Sequence, residues 1–536
     1  MAKYTTYLKK KNAPVSIAVP LPGREKEMVK TLVNSYAFKV DDLVALRRWL
    51  LTGSMNGAFY QSAKKMTDDN INTLKGCINS DPVKVGDEIL YASDKGISNS
   101  TPILALVYLS IGNDLAKQTF RTIFNKVIRT ASHLYEFVLY VRELRGFGKT
   151  IHKAIKGWLD AKDAKELEYQ FLKYQQRDGW AGKDVLRMIK PKTEDALKNS
   201  VYAWVVRKNK GELNEELKRL RVYEALKTGG VSEGKVVEAI NAFSLTHEMI
   251  PANVERTQKI WEALFYKMPV FALIRNLGNL TSKGIFGNTK NLDILESKFS
   301  KENLTNARIH PLTLASAFKV YSSGGNLGKS KLTWTPINRV IDILDKAVED
   351  AFDALPASRK VFIHALDLSG SMNGVQVANI WLDAIETESV MALATIRSSV
   401  NYEVFGFDTK IRQLEGFNKR TSFMDVIRKR HVAGGFGGGT NCSLPIENAL
   451  QNKIYADVIV CYTDNESWVG KHVPEMLKEY RKTVNKDVKV IFVTLVPNGD
   501  NVSLVDPNDK NCFDIAGFSS ETVRIIQMIA DGEFDG

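Results

Sequence analysis

The chain has 536 residues, of which 44% are apolar and 25% charged, and this is the composition of a globular protein with two to four domains. No apolar run approaches the roughly 18 residues of a membrane span, residues 1–6 lack the apolar core of a signal peptide, and four scattered cysteines exclude a disulfide framework. We therefore expect a cytoplasmic, monomeric protein without membrane contact, whose net charge of +13 favours an anionic partner.

Residues 1–40 carry prolines at positions 14, 20 and 22 and predict an extended arm. Asp41 and Asp42 then cap a helix, and helical spacing continues to about residue 353 with almost no strand pattern. Successive helices joined by short turns predict an α-solenoid, although no repeat period is evident. The clearest helical patterns cover residues 103–111, 132–144, 150–161, 167–177, 194–207, 260–268 and 311–321.

Basic residues at steps of three and four form two stripes in the middle of this helical region. Such stripes neutralise phosphates with an affinity that is largely independent of base sequence and falls steeply with salt. A solvated helix face is the alternative for each stripe, and the nearby Tyr174 and Trp180 suit either base stacking or the core. The first stripe contains Arg142, Arg145, Lys149, Lys153 and Lys156, and the second contains Lys173, Arg177, Lys183, Arg187 and Lys190.

The pattern changes at residues 361–372, which read V-F-I-H-A-L-D-L-S-G-S-M. The first six predict a strand buried on both faces of a parallel sheet, with His364 as a packed core residue. Asp367, Ser369 and Ser371 follow at the strand's carboxyl end, where open α/β sheets bind ligands. These hard oxygen donors favour Mg²⁺, with Mn²⁺ as the alternative, over Zn²⁺ or copper. Taken alone, the three residues also fit an ordinary turn.

Two later segments favour the metal site over the turn. Gly437-Gly438-Gly439-Thr440 places a hydroxyl on a glycine-rich loop, and residues 458–463 form another buried-strand pattern that ends in Asp464. These donors converge if the sheet is doubly wound, which the alternation of strand and helix patterns predicts. We therefore expect a helical domain over residues 1–356 and an α/β domain over residues 357–536.

With these five donors, the C-terminal domain resembles a von Willebrand factor A domain with a metal-ion-dependent adhesion site. The resemblance implies that Ser369, Ser371 and Thr440 are metal ligands. It also implies that Asp367 and Asp464 hold the metal directly or through water. Such a site leaves one coordination position open for an acidic group of a protein partner.

The helical region carries a second resemblance, to the TROVE module of the Ro ribonucleoprotein autoantigens. The motifs that carry it occur in the family's order at residues 53–60, 173–180, 268–278 and 307–311, and residues 442–445 and 464–466 continue the match into the A-type domain. The family implies a ring of HEAT-like helical repeats that the A-type domain closes. Its hole takes single-stranded 3′ ends of misfolded noncoding RNAs, and its outer basic surface binds the small Y RNA.

The resemblance also implies roles for single residues. Lys173 and Arg177 match a basic pair associated with Y RNA binding, whereas Lys190 stands where vertebrate members have a histidine and so lacks its stacking face. Arg275, Arg308 and His310 lie in family motifs and are candidates to face RNA in the hole. His310 precedes Pro311, however, and a structural role at a helix start is the alternative.

The distribution of charge supports a polyanionic partner for the helical region. Residues 1–350 hold 55 Lys and Arg against 37 Asp and Glu, whereas residues 351–536 hold 19 against 24. We favour a non-enzymatic protein that binds Y RNA and misfolded noncoding RNA. The family resemblance further implies an exoribonuclease as a partner, although no residue of the sequence identifies one. A metal-dependent nuclease that uses Asp367 and Asp464 is the alternative, and an adhesion-type protein that does not bind RNA is a third hypothesis.

Overall fold

The computed structural model describes most of the chain, and the statements below concern those residues. It describes residues 14–52, 63–96, 98–177, 179–206, 213–307, 309, 311–325, 331–352, 358–377, 381–432, 437–495, 502–516 and 520–532. Arg308 and His310 lie outside this part of the chain. A helical body is followed by an α/β domain, as the sequence predicts.

The helical body contains helices α1 to α18. Side-chain caps begin many of them, as at α3, where the Asp81 carboxylate accepts the N–H groups of Val83 and Lys84 at 3.2 and 3.1 Å and Pro82 occupies the first turn. The helices are α1 Asp42–Thr52, α2 Ala63–Ser80, α3 Pro82–Lys95, α4 Ser100–Leu109, α5 Asp114–Val127, α6 Ala131–Leu144, α7 Lys149–Asp160, α8 Ala164–Lys173, α9 Gly182–Ile189, α10 Ala196–Val206, α11 Lys218–Lys227, α12 Glu233–Phe243, α13 Gln258–Lys267, α14 Val270–Ser282, α15 Thr289–Lys298, α16 Lys301–Asn306, α17 Pro311–Ser322 and α18 Asn338–Phe352.

Two short sheets were not expected in this region. The arm forms strands β1, Met28–Lys30, and β2, Tyr36–Lys39, which pair antiparallel. The predicted helix over residues 167–177 is wrong at its end, because α8 stops at Lys173 and β3, Gln176–Arg177, pairs with β4, Trp180–Ala181. Gly179, with φ +81°, allows this tight reversal.

The C-terminal domain is a six-stranded sheet with helices on both faces. Its strand order is β11-β9-β8-β5-β6-β7, and every neighbouring pair is parallel except β6 with β7. The order reverses at β5, which is where a doubly wound sheet places its ligand crevice. The strands are β5 Ser358–Asp367, β6 Ser399–Phe407, β7 Ile411–Gln413, β8 Val458–Thr463, β9 Lys489–Thr494 and β11 Cys512–Ala516, and the helices are α19 Ala384–Ser398, α20 Phe423–Ile427, α21 Leu444–Gln451, α22 Val473–Thr483 and α23 Ser520–Asp531.

Alternate side chains of β5 enter two different cores. Ile363 and Ala365 pack with apolar residues of α21 and α22, whereas Phe362 and Leu366 join a core that continues through α19 and α23 into the helical body. Burial on both faces explains why the strand lacks the polar alternation of a half-exposed strand.

Both ends of the helical body contact the α/β domain. At one end α1 packs against β11, and at the other α17 packs against α19. The arm adds to the first contact, since β10, Val502–Ser503, extends the sheet of β1 and β2. Because successive helices of the body also contact one another, the described helices and the α/β domain form a closed circuit of packed elements, in which each element contacts the next and the last contacts the first.

Among the described residues, no helix combines the length and the apolar content that crossing a membrane requires.

His364 gives a prediction for stability at acid pH. Its side chain is fully buried in β5, and neither ring nitrogen has a hydrogen-bond partner within the described structure. Burial lowers its pKa from 6.5 to about 3, so protonation favours the unfolded chain as the pH falls below 6.5. Relative to wild type, His364→Leu should gain roughly 2 kcal/mol between pH 7 and pH 5, measured by denaturant unfolding. A difference that does not change with pH would contradict this.

Candidate functional site

The loop that follows β5 holds three of the predicted donors. Asp367, Ser369 and Ser371 are all buried, at 0, 1 and 5% exposure, and the two serine hydroxyl oxygens lie 3.1 Å apart. The Ser369 N–H donates to the Asp367 carboxylate at 3.1 Å, which closes a tight turn. The backbone therefore directs one carboxylate and two hydroxyls into the same small volume.

The glycine-rich loop packs against this turn. The Gly370 N–H donates to the Gly438 carbonyl at 3.1 Å, and a Cβ on Gly370 would lie 3.1 Å from the Gly437 carbonyl oxygen. Asp408 fixes the glycine loop from the other side, since its carboxylate accepts the Gly438 N–H at 3.3 Å. The buried Thr440 follows directly, so the predicted fourth donor belongs to a loop that contacts the first three.

Asp464 directly follows β8 and completes the group. Its carboxylate accepts the Glu466 N–H at 3.0 Å and a hydrogen bond from the Ser371 hydroxyl. The same loop reaches the glycine-rich loop, because the Trp468 N–H donates to the Thr440 carbonyl at 2.8 Å. All three loops that carry the five predicted donors are thus joined by hydrogen bonds.

The charges of this site favour a cation. Burial, and then the nearby Asp464 carboxylate, raise the pKa of Asp367, and burial also raises the pKa of Asp464. A divalent cation would offset the free-energy cost of burying these two negative charges, and the oxygen donors fit Mg²⁺ or Mn²⁺. Within the described part of the chain there is no group of three or more His, Cys, Asp and Glu that could hold a metal, so any ion here depends on the hydroxyls.

Thr463 and Glu388 support the site, and sequence reasoning missed both. The Thr463 hydroxyl donates to the Asp367 carboxylate at 2.6 Å, and the fully buried Glu388 accepts the Asp367 N–H at 3.1 Å. Burial raises the pKa of Glu388 well above its ordinary value. Glu388 lies on α19, whose residues from Ala384 to Ile396 are all buried, so no amphipathic pattern marks the inward face of this helix.

Some of the basic residues predicted to contact RNA are exposed, whereas others bind neighbouring residues of the protein. Exposed lysines project from α7, although Lys156 pairs with Asp160 at 2.5 Å. Arg145 of the first stripe turns inward, where its guanidinium donates to the Ser110 carbonyl at 2.8 Å, so this stripe is interrupted. The residues of the two stripes on the exposed surface are Arg142, Lys149, Lys153, Lys156, Arg177, Lys183, Arg187 and Lys190.

Lys173 instead lies beside Tyr169 and Tyr174, and the Arg275 guanidinium lies 4.5 Å from the ring centroid of Phe271. The Lys173 ammonium is 5.3 Å from the ring centroids of both tyrosines and donates to the Tyr169 hydroxyl at 3.1 Å. Burial and then Arg177 lower the pKa of Arg275. Arg177, expected on the outer surface, and Arg275, expected in the hole, are therefore close enough to repel each other.

Arg177 is also tied to α6. Its guanidinium donates to the Ser132 hydroxyl at 2.9 Å and lies 3.6 Å from the Glu136 carboxylate. These contacts fix the orientation of Arg177, while 47% of its side chain remains exposed. A residue held in this way can contact an anion with little loss of side-chain entropy.

Comparisons with known proteins match both domains. The family model of the TROVE domain matches residues 30–247 and 242–338, and the model of the Ro60 vWA domain matches residues 361–530. Over 590 aligned residues the chain is 27% identical to the RNA-binding protein RO60 of Caenorhabditis elegans, which covers 94% of this chain and 90% of that protein.

Two bacterial comparisons agree with this result. The chain is 28% identical over 521 residues to the RNA-binding protein RO60 of Deinococcus radiodurans, covering 95% of this chain and 96% of that protein. The crystal structure of the Deinococcus radiodurans RO (RSR) protein superposes with a TM-score of 0.70 at 26% identity, covering 92% of this chain and 100% of that one. The similarity therefore runs through the helical body and the α/β domain alike.

Proposed function

This chain belongs to the Ro60 family, in which a TROVE domain precedes a von Willebrand A-type domain, and we propose from that membership that it is an RNA-binding protein. The observation that carries the proposal is the match, over nearly the whole chain, to two relatives named RNA-binding proteins. The excess of Lys and Arg in residues 1–350 supports it, because such an excess attracts phosphates.

Two kinds of RNA element fit the described surfaces. A structured small RNA of the Y RNA type would lie on the exposed lysines of α7, on the basic residues of α9 and on Lys173 and Arg177, because these positive charges attract phosphates. Single-stranded 3′ ends of misfolded noncoding RNA would enter a hole enclosed by the closed circuit of packed elements. The protein would then act in RNA quality control in the cytoplasm, together with an exoribonuclease, and its four free thiols suit that reducing compartment.

The A-type domain would supply a contact to a protein partner. Asp367, Ser369, Ser371, Thr440 and Asp464 would hold Mg²⁺, and the bound ion would offer a coordination position to an acidic side chain. The loops themselves fix the donors, since hydrogen bonds join all three of them. We assign this site to binding because nucleases with two metals about 4 Å apart need several carboxylates around the ions.

Incubation of the purified protein with labelled RNA and Mg²⁺ tests this proposal against the nuclease alternative. We expect a gel shift and full-length RNA after prolonged incubation, and the same result for Asp367→Ala. Cleavage that disappears in Asp367→Ala would establish the nuclease instead. The absence of a shift at low salt would favour the adhesion-type hypothesis.

A further inference from the structure

A buried line of polar contacts leads from the helical body to the metal-site candidate. It begins at Arg48 of α1, whose guanidinium lies 2.5 Å from the Asp514 carboxylate of β11, with the two side chains only 5 and 9% exposed. Both oxygens of Asp514 also accept the Asn465 side-chain amide, at 3.2 and 3.3 Å. A side chain of the helical body is therefore two contacts away from the residue that follows Asp464.

The line continues from Asn465 to Asp367. The Asn465 backbone N–H donates to the Thr463 hydroxyl at 3.2 Å, and that hydroxyl donates to the Asp367 carboxylate at 2.6 Å. The Asn465 amide also donates to the Thr494 hydroxyl at 2.8 Å. Thr463, Asn465 and Thr494 are all buried, at 2% exposure or less, so water does not compete for these bonds.

The backbone at Asn465 explains why such support is needed. Its φ of +63° lies in the left-handed region, which costs free energy for a residue other than glycine. The hydrogen bonds that the Asn465 side-chain amide donates to Asp514 and Thr494 hold this conformation. The conformation of Asn465 in turn sets the direction in which the chain leaves β8 at the preceding Asp464. The ion pair with Arg48 in turn holds the Asp514 carboxylate in place.

We propose that Arg48, Asp514 and Asn465 are positioning residues for the divalent-cation site, so that the contact between α1 and the A-type domain sets the affinity of that site. The inference rests on the metal site proposed above. None of the three residues would itself hold the ion. They orient Asp464 through the backbone at Asn465 and orient Asp367 through the Thr463 hydroxyl.

Titration of the metal-free protein with Mn²⁺, followed by the electron paramagnetic resonance signal of free Mn²⁺, tests the proposal. Arg48→Met should weaken Mn²⁺ binding by about five-fold or more, in the usual range of coupling between sites. Arg24→Met is the matched control. Arg24 also joins the N-terminal arm to the A-type domain, by an ion pair of 2.6 Å with Asp506, but it is outside the line of contacts. We expect wild-type affinity for Arg24→Met.

Each other outcome overturns the proposal. Equal affinities in wild type, Arg48→Met and Arg24→Met would reject the positioning role while leaving the metal site intact. Failure of wild type to bind Mn²⁺ would reject the metal site together with the inference. If Arg48→Met does not fold, Asn465→Gly serves instead, because glycine accepts the positive φ and lacks only the amide. Wild-type affinity in that folded variant would likewise overturn the proposal.

Discussion

Replacing Lys173 and Arg177 together with alanine is expected to weaken binding of a structured small RNA by about 30- to 100-fold. Each residue supplies a fixed positive charge beside an aromatic ring or a hydroxyl, and each lost phosphate contact lowers the slope of log affinity against log salt by about one. The double variant should therefore lose about two units of slope as well as affinity. Filter binding over a series of salt concentrations measures both quantities.

The matched control for this variant is the alanine replacement of Lys478 and Lys482. Both are exposed on α22 of the A-type domain, so the change in net charge is the same while the helical body is untouched. We expect little change in affinity. A loss as large as that of the first variant would show that net charge, rather than the position of Lys173 and Arg177, controls binding. Thermal unfolding of each variant checks that the fold is retained.

The second large effect is expected for Asp367→Asn, which should stabilise the metal-free chain and abolish its response to Mg²⁺. A carboxyl group whose pKa is higher in the folded than in the unfolded chain costs stability above that pKa and costs nothing well below the unfolded value. Because burial and then the Asp464 carboxylate raise the pKa of Asp367, the gain should be present at pH 8 and should vanish as the pH falls towards 4. Thermal unfolding with and without Mg²⁺ measures both effects.

Asp345→Asn is the control that separates the gain in stability from the loss of the response to Mg²⁺. Burial raises the pKa of Asp345, on α18, to about 6, and its Oδ1 is buried without a hydrogen-bond partner in the described structure. This variant should also be more stable at pH 8, but it should keep the full response to Mg²⁺. Retention of the Mg²⁺ response by Asp367→Asn would contradict the assignment of the metal ligands.

Sequence analysis predicted the helices and strands whose pattern of buried and exposed residues is regular along the chain. Residues 361–366 lack polar alternation because both faces of β5 are covered, so the sequence alone predicts the buried strand and the polar loop at its end. Helix α7 was predicted for the same reason, since its buried Ile151, Ile155 and Trp158 follow helical spacing.

Sequence reasoning missed the features that depend on contacts between distant segments. Nothing near Arg145 in the sequence shows that its guanidinium donates to the Ser110 carbonyl, and nothing near Arg177 shows that its charge lowers the pKa of Arg275. The end of α8 at Lys173 depends on a hairpin that Gly179 makes possible, and a glycine after a basic helix also fits an ordinary loop. The support of Asp367 by Thr463 likewise needs the tertiary structure.

The most direct test of the central claim is one filter-binding titration of a labelled RNA with a structured stem and a single-stranded 3′ tail, carried out in EDTA and again in Mg²⁺. If charged helices hold the RNA and the oxygen-lined site serves another partner, the two binding curves should coincide at every salt concentration, and the recovered RNA should be intact. Loss of affinity in EDTA while circular dichroism shows a folded protein would contradict this account.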